Sequence, residues 1–164
     1  MIREVKEIYR FYKHQTKENR SIMFYAERSS DIAYVEKLIS ILANNYKGRF
    51  VYVTSDPNDP ILEEGQAFPA FYSNKLLSIL MMLLDSKVCI MTMPDLDIFN
   101  IKRSLVAKVH YVYVFHSLIS THMGYLENSF DHYDSILCVG EYQKKEIQIS
   151  KLFKFKTLIV CMVF

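Results

Sequence analysis

The hydrophobic residues of this chain fall into short runs that are apolar at almost every position. Such runs predict strands that are buried on both faces, and strands of this kind are typical of parallel sheets covered by helices. Six runs predict strands, and a weaker one predicts a seventh. The strands are predicted at residues 22–26, 49–53, 68–72, 87–92, 109–115, 135–139 and 157–164.

Segments with helical spacing lie between most of these runs. Residues 2–18 have apolar side chains on one face and charged side chains on the other, which predicts an amphipathic helix. A second helix is predicted to begin at a cap on Ser30 or Asp31 and to end at Gly48. The alternation predicts an α/β fold with a doubly wound, Rossmann-like parallel sheet, in which strand 109–115 is interior.

Two further helices follow along the chain. The segment Leu76–Leu84 is apolar nearly all round, so we expect this helix to be buried, with Ser73 or Asn74 as its cap. The segment from Glu141 to Phe153 predicts a fourth helix between the last two strands.

The length of 164 residues indicates a single folded unit. We predict that residues 1–20 form an N-terminal helix packed on or beside the domain, and that residues 21–164 form the Rossmann-like domain. The sequence ends inside the apolar run 157–164, and an independent domain rarely ends on such a strand. We therefore expect the domain to be truncated at its C-terminus.

Composition and charge narrow the range of partners. The 20 basic and 18 acidic residues give a net charge of +2, without the basic excess typical of nucleic-acid binding. The three cysteines lie in apolar runs without metal-ligand spacing, so we expect reduced core thiols, as in cytoplasmic proteins. No signal peptide is visible, and no apolar run approaches the roughly 20 residues that a membrane-spanning helix needs.

Polar side chains follow the ends of five predicted strands. Because the carboxyl ends of parallel strands meet at one edge of a sheet, we expect these side chains to converge on one crevice, where open α/β sheets bind ligands. For any single loop, ordinary loop polarity is the alternative. The residues concerned are Glu27, Arg28, Ser29, Thr54, Ser55, Asp56, Thr92, Asp95, His116, Ser117, Gly140 and Glu141.

His116 offers the clearest chemistry in this crevice. Histidine titrates near neutral pH, which suits a general base, and His116 directly follows an apolar strand. Its neighbours Ser117, Ser120 and Thr121 can donate hydrogen bonds to a substrate phosphate or oxyanion. A hydrogen-bonded structural histidine is the alternative. A metal site is not favoured by the spacing of His110, His116 and His122.

Other charged residues have weaker claims. Arg103 could bind a phosphate, since arginine pairs with phosphate in a bidentate manner, although a solvated surface position is the commoner explanation. Asp95 and Asp97 could orient a histidine or substrate hydroxyls, or form a turn. The sequence has no GxGxxG after the first predicted strand, no phosphate-binding P-loop and no GxSxG, so no cofactor is predicted.

Five segments of the chain carry a resemblance to a known family. They are Phe24–Glu27, Tyr52–Asp56, Val88–Asp97, Tyr111–Ser117 and Phe130–Asp134. Together, over about residues 20–150, they resemble the CDP-glycerol glycerophosphotransferases, which assemble teichoic acids and related cell-surface polymers.

The resemblance implies a GT-B architecture, in which two Rossmann-like domains face each other across a cleft. The N-terminal domain of that family holds a polyol-phosphate or glycan acceptor, and the C-terminal domain holds CDP-glycerol. A histidine at the position of His116 is taken as the base that deprotonates the acceptor hydroxyl. The chain departs from the family pattern because Ser117 replaces a glycine, no tryptophan precedes the histidine, and nothing resembles the second domain.

The expected function is therefore that of the acceptor-side half of a transferase, which is inactive without its donor-binding domain. The whole enzyme would move glycerol phosphate from CDP-glycerol to an acceptor hydroxyl. Two alternatives stay open. The chain is a non-catalytic binding module for a polyol phosphate or glycan, including an inactive remnant, or it is half of a sugar-nucleotide glycosyltransferase.

The first predicted helix also indicates a membrane surface as a partner. Basic residues along it accompany aromatic side chains, a combination found in helices that lie on anionic lipid. We expect peripheral contact with an anionic membrane at the inner face of the cell membrane. Packing of this helix on the domain's own sheet is the alternative.

Overall fold

The computed structural model describes residues 2–63, 66–115, 125, 128–149 and 158–161. Within these residues the chain forms four α-helices and seven strands. In chain order they are α1 (Ile2–Lys13), β1 (Ile22–Ala26), α2 (Ile32–Asn45), β2 (Phe50–Thr54), β3 (Ala70–Tyr72), α3 (Leu77–Met82), β4 (Val88–Met91), β5 (His110–Val114), β6 (Ser135–Cys138), α4 (Glu141–Ile149) and β7 (Leu158–Cys161).

The strands form one sheet in the order β3-β2-β1-β4-β5-β6-β7, and every pair of neighbours is parallel. The α/β Rossmann-like prediction is confirmed. Strand β5 lies between β4 and β6, so the interior position predicted for residues 109–115 is also confirmed. The chain moves outward from β1 to β3 and then crosses back to β4, which makes the boundary between β1 and β4 a topological switch point.

Alternating residues of the strands point to opposite faces of the sheet, and both faces are buried. One face carries Tyr25, Tyr111 and Tyr113 and packs against side chains of α1, α3 and α4. The other face carries Phe24 and Tyr52 and packs against α2. Burial on both faces explains why the strands are apolar at successive positions.

Helix α1 packs on the first of these faces through Phe11, which has no solvent exposure. The ring of Phe11 meets the ring of Phe71 on β3 edge to face, with 5.3 Å between centroids. The helix ends at Lys13, five residues before the predicted end of the segment 2–18. Among the described residues, no helix is long and apolar enough to cross a membrane. The thiol of Cys89 is free, and Cys89 and Cys138 are both buried.

The predicted helix starts differ from those in the structure. Asp31 precedes α2, but neither its side chain nor that of Ser30 caps the helix. The first turn of α3 is capped by a residue distant in sequence, since the backbone N–H groups of Asn74 and Leu76 donate to the carboxylate of Glu4. The local capping predictions were therefore wrong, because the nearest polar side chain in sequence is not the nearest in space.

Helix α3 is also shorter and less buried than predicted. It spans six residues, and the outer side of the predicted segment exposes Ile79 and Leu83 by 47% and 46%. Only the side that carries Leu77, Leu80 and Met81 is buried. The apolar sequence of this segment predicted burial on all sides, but one side of α3 faces solvent.

Candidate ligand-binding site

A cavity of about 740 Å³ opens at the carboxyl ends of β1 and β4. Its position is the topological switch point, where open α/β sheets bind their ligands. The walls come from the ends of β1 and β2, from the first turn of α3, and from the loop that follows β4. The polar lining consists of Tyr25, Glu27, Ser55, Asn74, Lys75, Ser78, Asp95 and Asn100, and Phe99 and Ile101 are among the apolar residues.

A chain of hydrogen bonds lies under the floor of this cavity. The hydroxyl of Ser55 donates to the carbonyl oxygen of Ser73 at 2.7 Å, and the phenol oxygen of Tyr25 lies 2.9 Å from the Ser55 hydroxyl oxygen. Because Ser55 has only one hydroxyl proton, the Tyr25 hydroxyl is the donor in the second bond. The phenol oxygen of Tyr25 is then left as an acceptor for a ligand.

Burial keeps this phenol neutral. It raises the pKa of Tyr25 far above its usual value, against the lowering effect of the hydrogen bond with Ser55. Only 1% of the residue is exposed. Tyr25 therefore contributes a fixed, uncharged acceptor rather than a group that titrates near neutral pH.

Two carboxylates and one ammonium group also line the cavity, contributed by Glu27, Asp95 and Lys75. The backbone of Asp95 has φ of +63°, a left-handed conformation that aspartate tolerates better than most residues. Its Oδ1 atom is buried and has no hydrogen-bond partner among the described residues. A buried polar atom without a partner costs about 1–3 kcal/mol, so this loop holds Asp95 at the expense of stability.

The loop around Asp95 is fixed by several hydrogen bonds. The backbone N–H of Asp95 donates to the carbonyl of Ser129 at 2.9 Å, and the hydroxyl of Tyr133 donates to the carbonyl of Met93. Asp97, which has φ of +65°, donates its N–H to Ile101 at 2.8 Å and closes the loop on itself. These contacts fix the backbone that carries the Asp95 side chain on the cavity wall.

A carboxylate closes the turn between β1 and α2. Asp56 accepts hydrogen bonds from the hydroxyl of Ser29 at 2.6 Å, from its N–H at 3.3 Å, and from the N–H of Asn58 at 2.9 Å. The hydrogen bond from the Ser29 side chain is the main cause of the lowered pKa of Asp56. In dinucleotide-binding folds this turn is rich in glycine and holds a pyrophosphate, which the negative charge of Asp56 opposes here.

Of the predicted site residues, the structure brings Glu27, Ser55 and Asp95 together around the cavity. The others at this edge of β1, β2 and β4 do not line it: Arg28 is exposed, Ser29 and Asp56 bond to each other, and Thr54 and Thr92 are buried. Gly140 and Glu141 follow β6, which is separated from β4 by β5, so they lie on the same edge but outside the cavity.

Arg103 lies at the opposite edge of the sheet from the cavity. Its guanidinium group donates to the carbonyl of His132, to the carbonyl of Val109 and, at 3.0 Å, to the carboxylate of Asp134, and it stacks over the ring of Tyr111 at 4.6 Å. These partners belong to the amino ends of β5 and β6. The structure therefore does not bring Arg103 to the crevice, because the loop after β4 returns to the start of β5.

His116, Ser117, Ser120 and Thr121 lie outside the described residues, so the assignment of His116 as a base stays a prediction. Phe115, the residue before His116, is buried against Tyr113 and Phe130 at the end of β5. Within the described part of the chain, no group of three His, Cys, Asp or Glu residues could hold a metal ion.

Several lining residues were not predicted from the sequence. Asn74, Lys75 and Ser78 belong to the start of α3, and Asn100 and Phe99 belong to the loop after β4. The polar run Ser73–Lys75 directly follows β3, so it satisfied the same strand-end criterion as the predicted residues but was interpreted as a helix cap. No comparable signal precedes Asn100.

The chain matches no known protein-family model, no curated protein and no solved structure at a significant level.

Proposed function

We propose that this domain binds a hydroxyl-rich ligand, a polyol phosphate or a glycan, in the cavity at the switch point. The observation that carries the proposal is the set of acceptors on the cavity wall: the phenol oxygen of Tyr25 and the carboxylates of Glu27 and Asp95. Hydroxyl groups can donate to all three. Phosphate groups are anionic at neutral pH and are repelled by the two carboxylates, so we expect the hydroxyl groups of the ligand to face these acceptors.

The rest of the lining fits the same class of ligand. The side-chain amides of Asn74 and Asn100 can each donate and accept, as vicinal hydroxyls require. Phe99 is 58% exposed at the cavity and offers an apolar surface for the C–H groups of a polyol or sugar. Among the described residues, Lys75 is the only cation of the lining, so a phosphate of the ligand would lie near it. The volume lies within the usual range for small-molecule sites.

We further propose that the bound ligand is the acceptor of a glycerophosphotransferase, with this domain as its acceptor-side half. One acceptor hydroxyl would attack the β-phosphorus of CDP-glycerol and form a new P–O bond. The bond from that phosphorus to the bridging oxygen would break, CMP would leave, and His116 would take the hydroxyl proton. The resemblance of the segments around β4 and β5, and the position of the cavity at the end of β4, support this assignment.

A second function is favoured by one feature of the cavity. The described residues of this domain form a cavity of ligand size, so we expect the domain to bind the ligand by itself. On this second proposal the chain is a non-catalytic binding module. A sugar-nucleotide glycosyltransferase half would present the same acceptor site. A transferase and a binding module differ in one measurable result. A transferase releases CMP or another nucleotide when donor and acceptor are both supplied, and a binding module releases none.

Calorimetric titration tests the binding site directly. The probes are glycerol 3-phosphate and N-acetylglucosamine, with inorganic phosphate and NAD as comparison ligands. Asp95→Asn is expected to weaken binding of the polyol or sugar probe by about 10-fold or more, since hydrogen bonds to charged groups are worth roughly 1.5–3 kcal/mol. Glu141→Gln is the matched control, because Glu141 lies on the same edge outside the cavity. Preferential binding of NAD or phosphate would refute the proposal.

The transferase step needs a separate assay. CMP release from CDP-glycerol is measured with the domain joined to or supplemented by a donor-binding domain, with glycerol 3-phosphate as acceptor. His116→Ala is expected to lower turnover by about 10²–10⁴-fold, the usual range for the loss of a general base. Probe binding without CMP release would favour the binding module.

We also propose that α1 contacts an anionic membrane surface. Ile2, Val5 and Tyr9 are exposed along one side of this helix, with Lys6 and Lys13 exposed beside them. Arg3 is partly engaged by the protein itself, since its guanidinium lies over the ring of Tyr72. Co-sedimentation with phosphatidylglycerol vesicles, compared with phosphatidylcholine vesicles, tests this contact, and equal binding to both would refute it.

A further inference from the structure

The first turn of α3 and the residues before it form one wall of the cavity, through Asn74, Lys75 and Ser78. Helix α3 is only six residues long, and helices of this length are not stable without support from the rest of the protein. The position of this wall must therefore depend on tertiary contacts of α3.

Glu4 provides the contact at the start of α3. Its Oε2 atom accepts the N–H of Asn74 at 2.8 Å and the N–H of Leu76 at 3.0 Å. Glu4 belongs to α1 and lies 72 positions before Leu76 in the sequence. Only 2% of the residue is exposed. Burial tends to raise the pKa of the Glu4 carboxyl, but the N–H groups of Leu76 and Asn74 outweigh burial and hold the pKa below its usual value.

The same N-terminal segment also holds the middle and the end of α3. The hydroxyl of Tyr12 donates to the carbonyl of Leu80 at 3.1 Å. Arg20 forms two hydrogen bonds, at 2.7 and 3.0 Å, with the carboxylate of Asp85, which lies three residues after α3. Helix α3 is therefore held along its whole length by residues 4–20.

A hydrogen bond joins α3 to the opposite wall of the cavity, so Glu4 affects that wall as well. The hydroxyl of Ser78 donates to the carbonyl of Asn100 at 2.8 Å. Asn100 belongs to the loop after β4 that also carries Asp95 and Phe99. A shift of the first turn of α3 would therefore change both sides of the cavity.

We propose that Glu4 is a positioning residue of the cavity, and that helix α1 contributes to ligand binding by fixing one wall of the site. The proposal rests on the function proposed above. Glu4 does not touch the ligand. It fixes the backbone of residues 74–76, and through this backbone it sets where Asn74, Lys75 and Ser78 meet the ligand.

Three variants test the proposal. Glu4→Ala removes the acceptor, Glu4→Gln keeps an acceptor oxygen without the charge, and Glu7→Ala is the matched control. Glu7 lies one turn further along α1, and its carboxylate bonds to Arg10 of the same helix. The first measurement is amide hydrogen exchange at residues 74–78 compared with residues of β5, and it needs no ligand. The second is the affinity for glycerol 3-phosphate by calorimetry.

Glu4→Ala is expected to speed exchange at residues 74–78 by about 10-fold or more, as for a lost hydrogen bond to a charged group, without a matching change in β5. It should weaken glycerol 3-phosphate binding by a similar factor. Glu4→Gln should recover most of both losses, and Glu7→Ala should change neither.

Unchanged exchange at residues 74–78, or equal acceleration in β5, would overturn the positioning role, since the second result indicates global destabilisation. Local acceleration with unchanged affinity in Glu4→Ala would also overturn it. If the wild-type protein binds no polyol or sugar probe, the proposed function fails, while the exchange comparison still decides whether Glu4 fixes this wall.

Discussion

Charged residues have different roles at the two edges of the sheet, one formed by the amino ends of the strands and the other by their carboxyl ends. At the amino ends of the strands, Arg20 pairs with Asp85 and Arg103 pairs with Asp134, and each guanidinium also bonds to backbone carbonyls. At the carboxyl ends, Glu27 and Asp95 face a cavity. One edge is closed by charge pairs within the protein, and the other presents charge to a ligand.

This difference separates charged residues that stabilise the fold from charged residues that destabilise it. A buried charge with good partners needs no ligand to explain it, because its hydrogen bonds replace those lost with water. A carboxylate such as Asp95, with a left-handed backbone and a buried oxygen that has no partner, weakens the fold. Features of this kind concentrate at functional sites. Charge alone would not have distinguished the two edges.

The strongest test removes a carboxylate from the closed edge. Asp85→Ala leaves the guanidinium of Arg20, a residue that is 5% exposed, without its ion-pair partner. We expect the free energy of unfolding to fall by about 3–5 kcal/mol, measured by urea denaturation. Glu18→Ala is the control, because the pair of Glu18 with Arg49 is mostly exposed and should contribute less than about 1 kcal/mol. Similar losses for both variants would contradict the comparison.

A second test concerns Arg103, which the sequence suggested as a phosphate ligand. Arg103→Ala should lower the free energy of unfolding by about 1–2 kcal/mol, because its pair with Asp134 is only partly buried. Its distance from the cavity predicts no change in the affinity for glycerol 3-phosphate. Thermal denaturation and calorimetry measure the two quantities. A large loss of affinity without a loss of stability would indicate that Arg103 binds the ligand.

The open edge should respond in the opposite direction. Asp95→Asn removes the charge of a carboxylate that has an unpaired buried oxygen, and asparagine tolerates the same left-handed backbone. We expect the free energy of unfolding to rise by about 1 kcal/mol while probe affinity falls. Urea denaturation beside calorimetry checks both effects. A destabilised Asp95→Asn protein would mean that Asp95 is a structural residue.

The smallest expected effect concerns Asp56, a carboxylate of the open edge that is satisfied within the protein. Its folded-state pKa is below its usual value, so its contribution to stability is present above about pH 4 and is lost as the pH falls through the folded pKa. Ser29→Ala should raise this pKa toward the usual value, which an NMR titration of the carboxyl carbon can follow. An unchanged pKa in Ser29→Ala would show that the hydrogen bond from the Ser29 hydroxyl is not its main cause.

The sequence located part of the site for a simple physical reason. Glu27, Ser55 and Asp95 directly follow strands, and all carboxyl ends of a parallel sheet lie at one edge, so strand order hardly matters for predicting the edge. Strand order does decide which strand ends are neighbours. The order places β6 away from β1, so Gly140 and Glu141 lie outside the cavity although they satisfy the same rule.

The sequence by itself determined the parallel α/β fold and the interior position of β5, because burial on both faces requires apolar residues at successive strand positions. Only the tertiary structure decided which polar residues share the cavity, since that depends on contacts between distant segments. Glu4 shows the reason most clearly. Nothing in its local sequence separates it from Glu7, yet the packing of Phe11 against Phe71 brings Glu4 to the first turn of α3, while Glu7 bonds to its own helix.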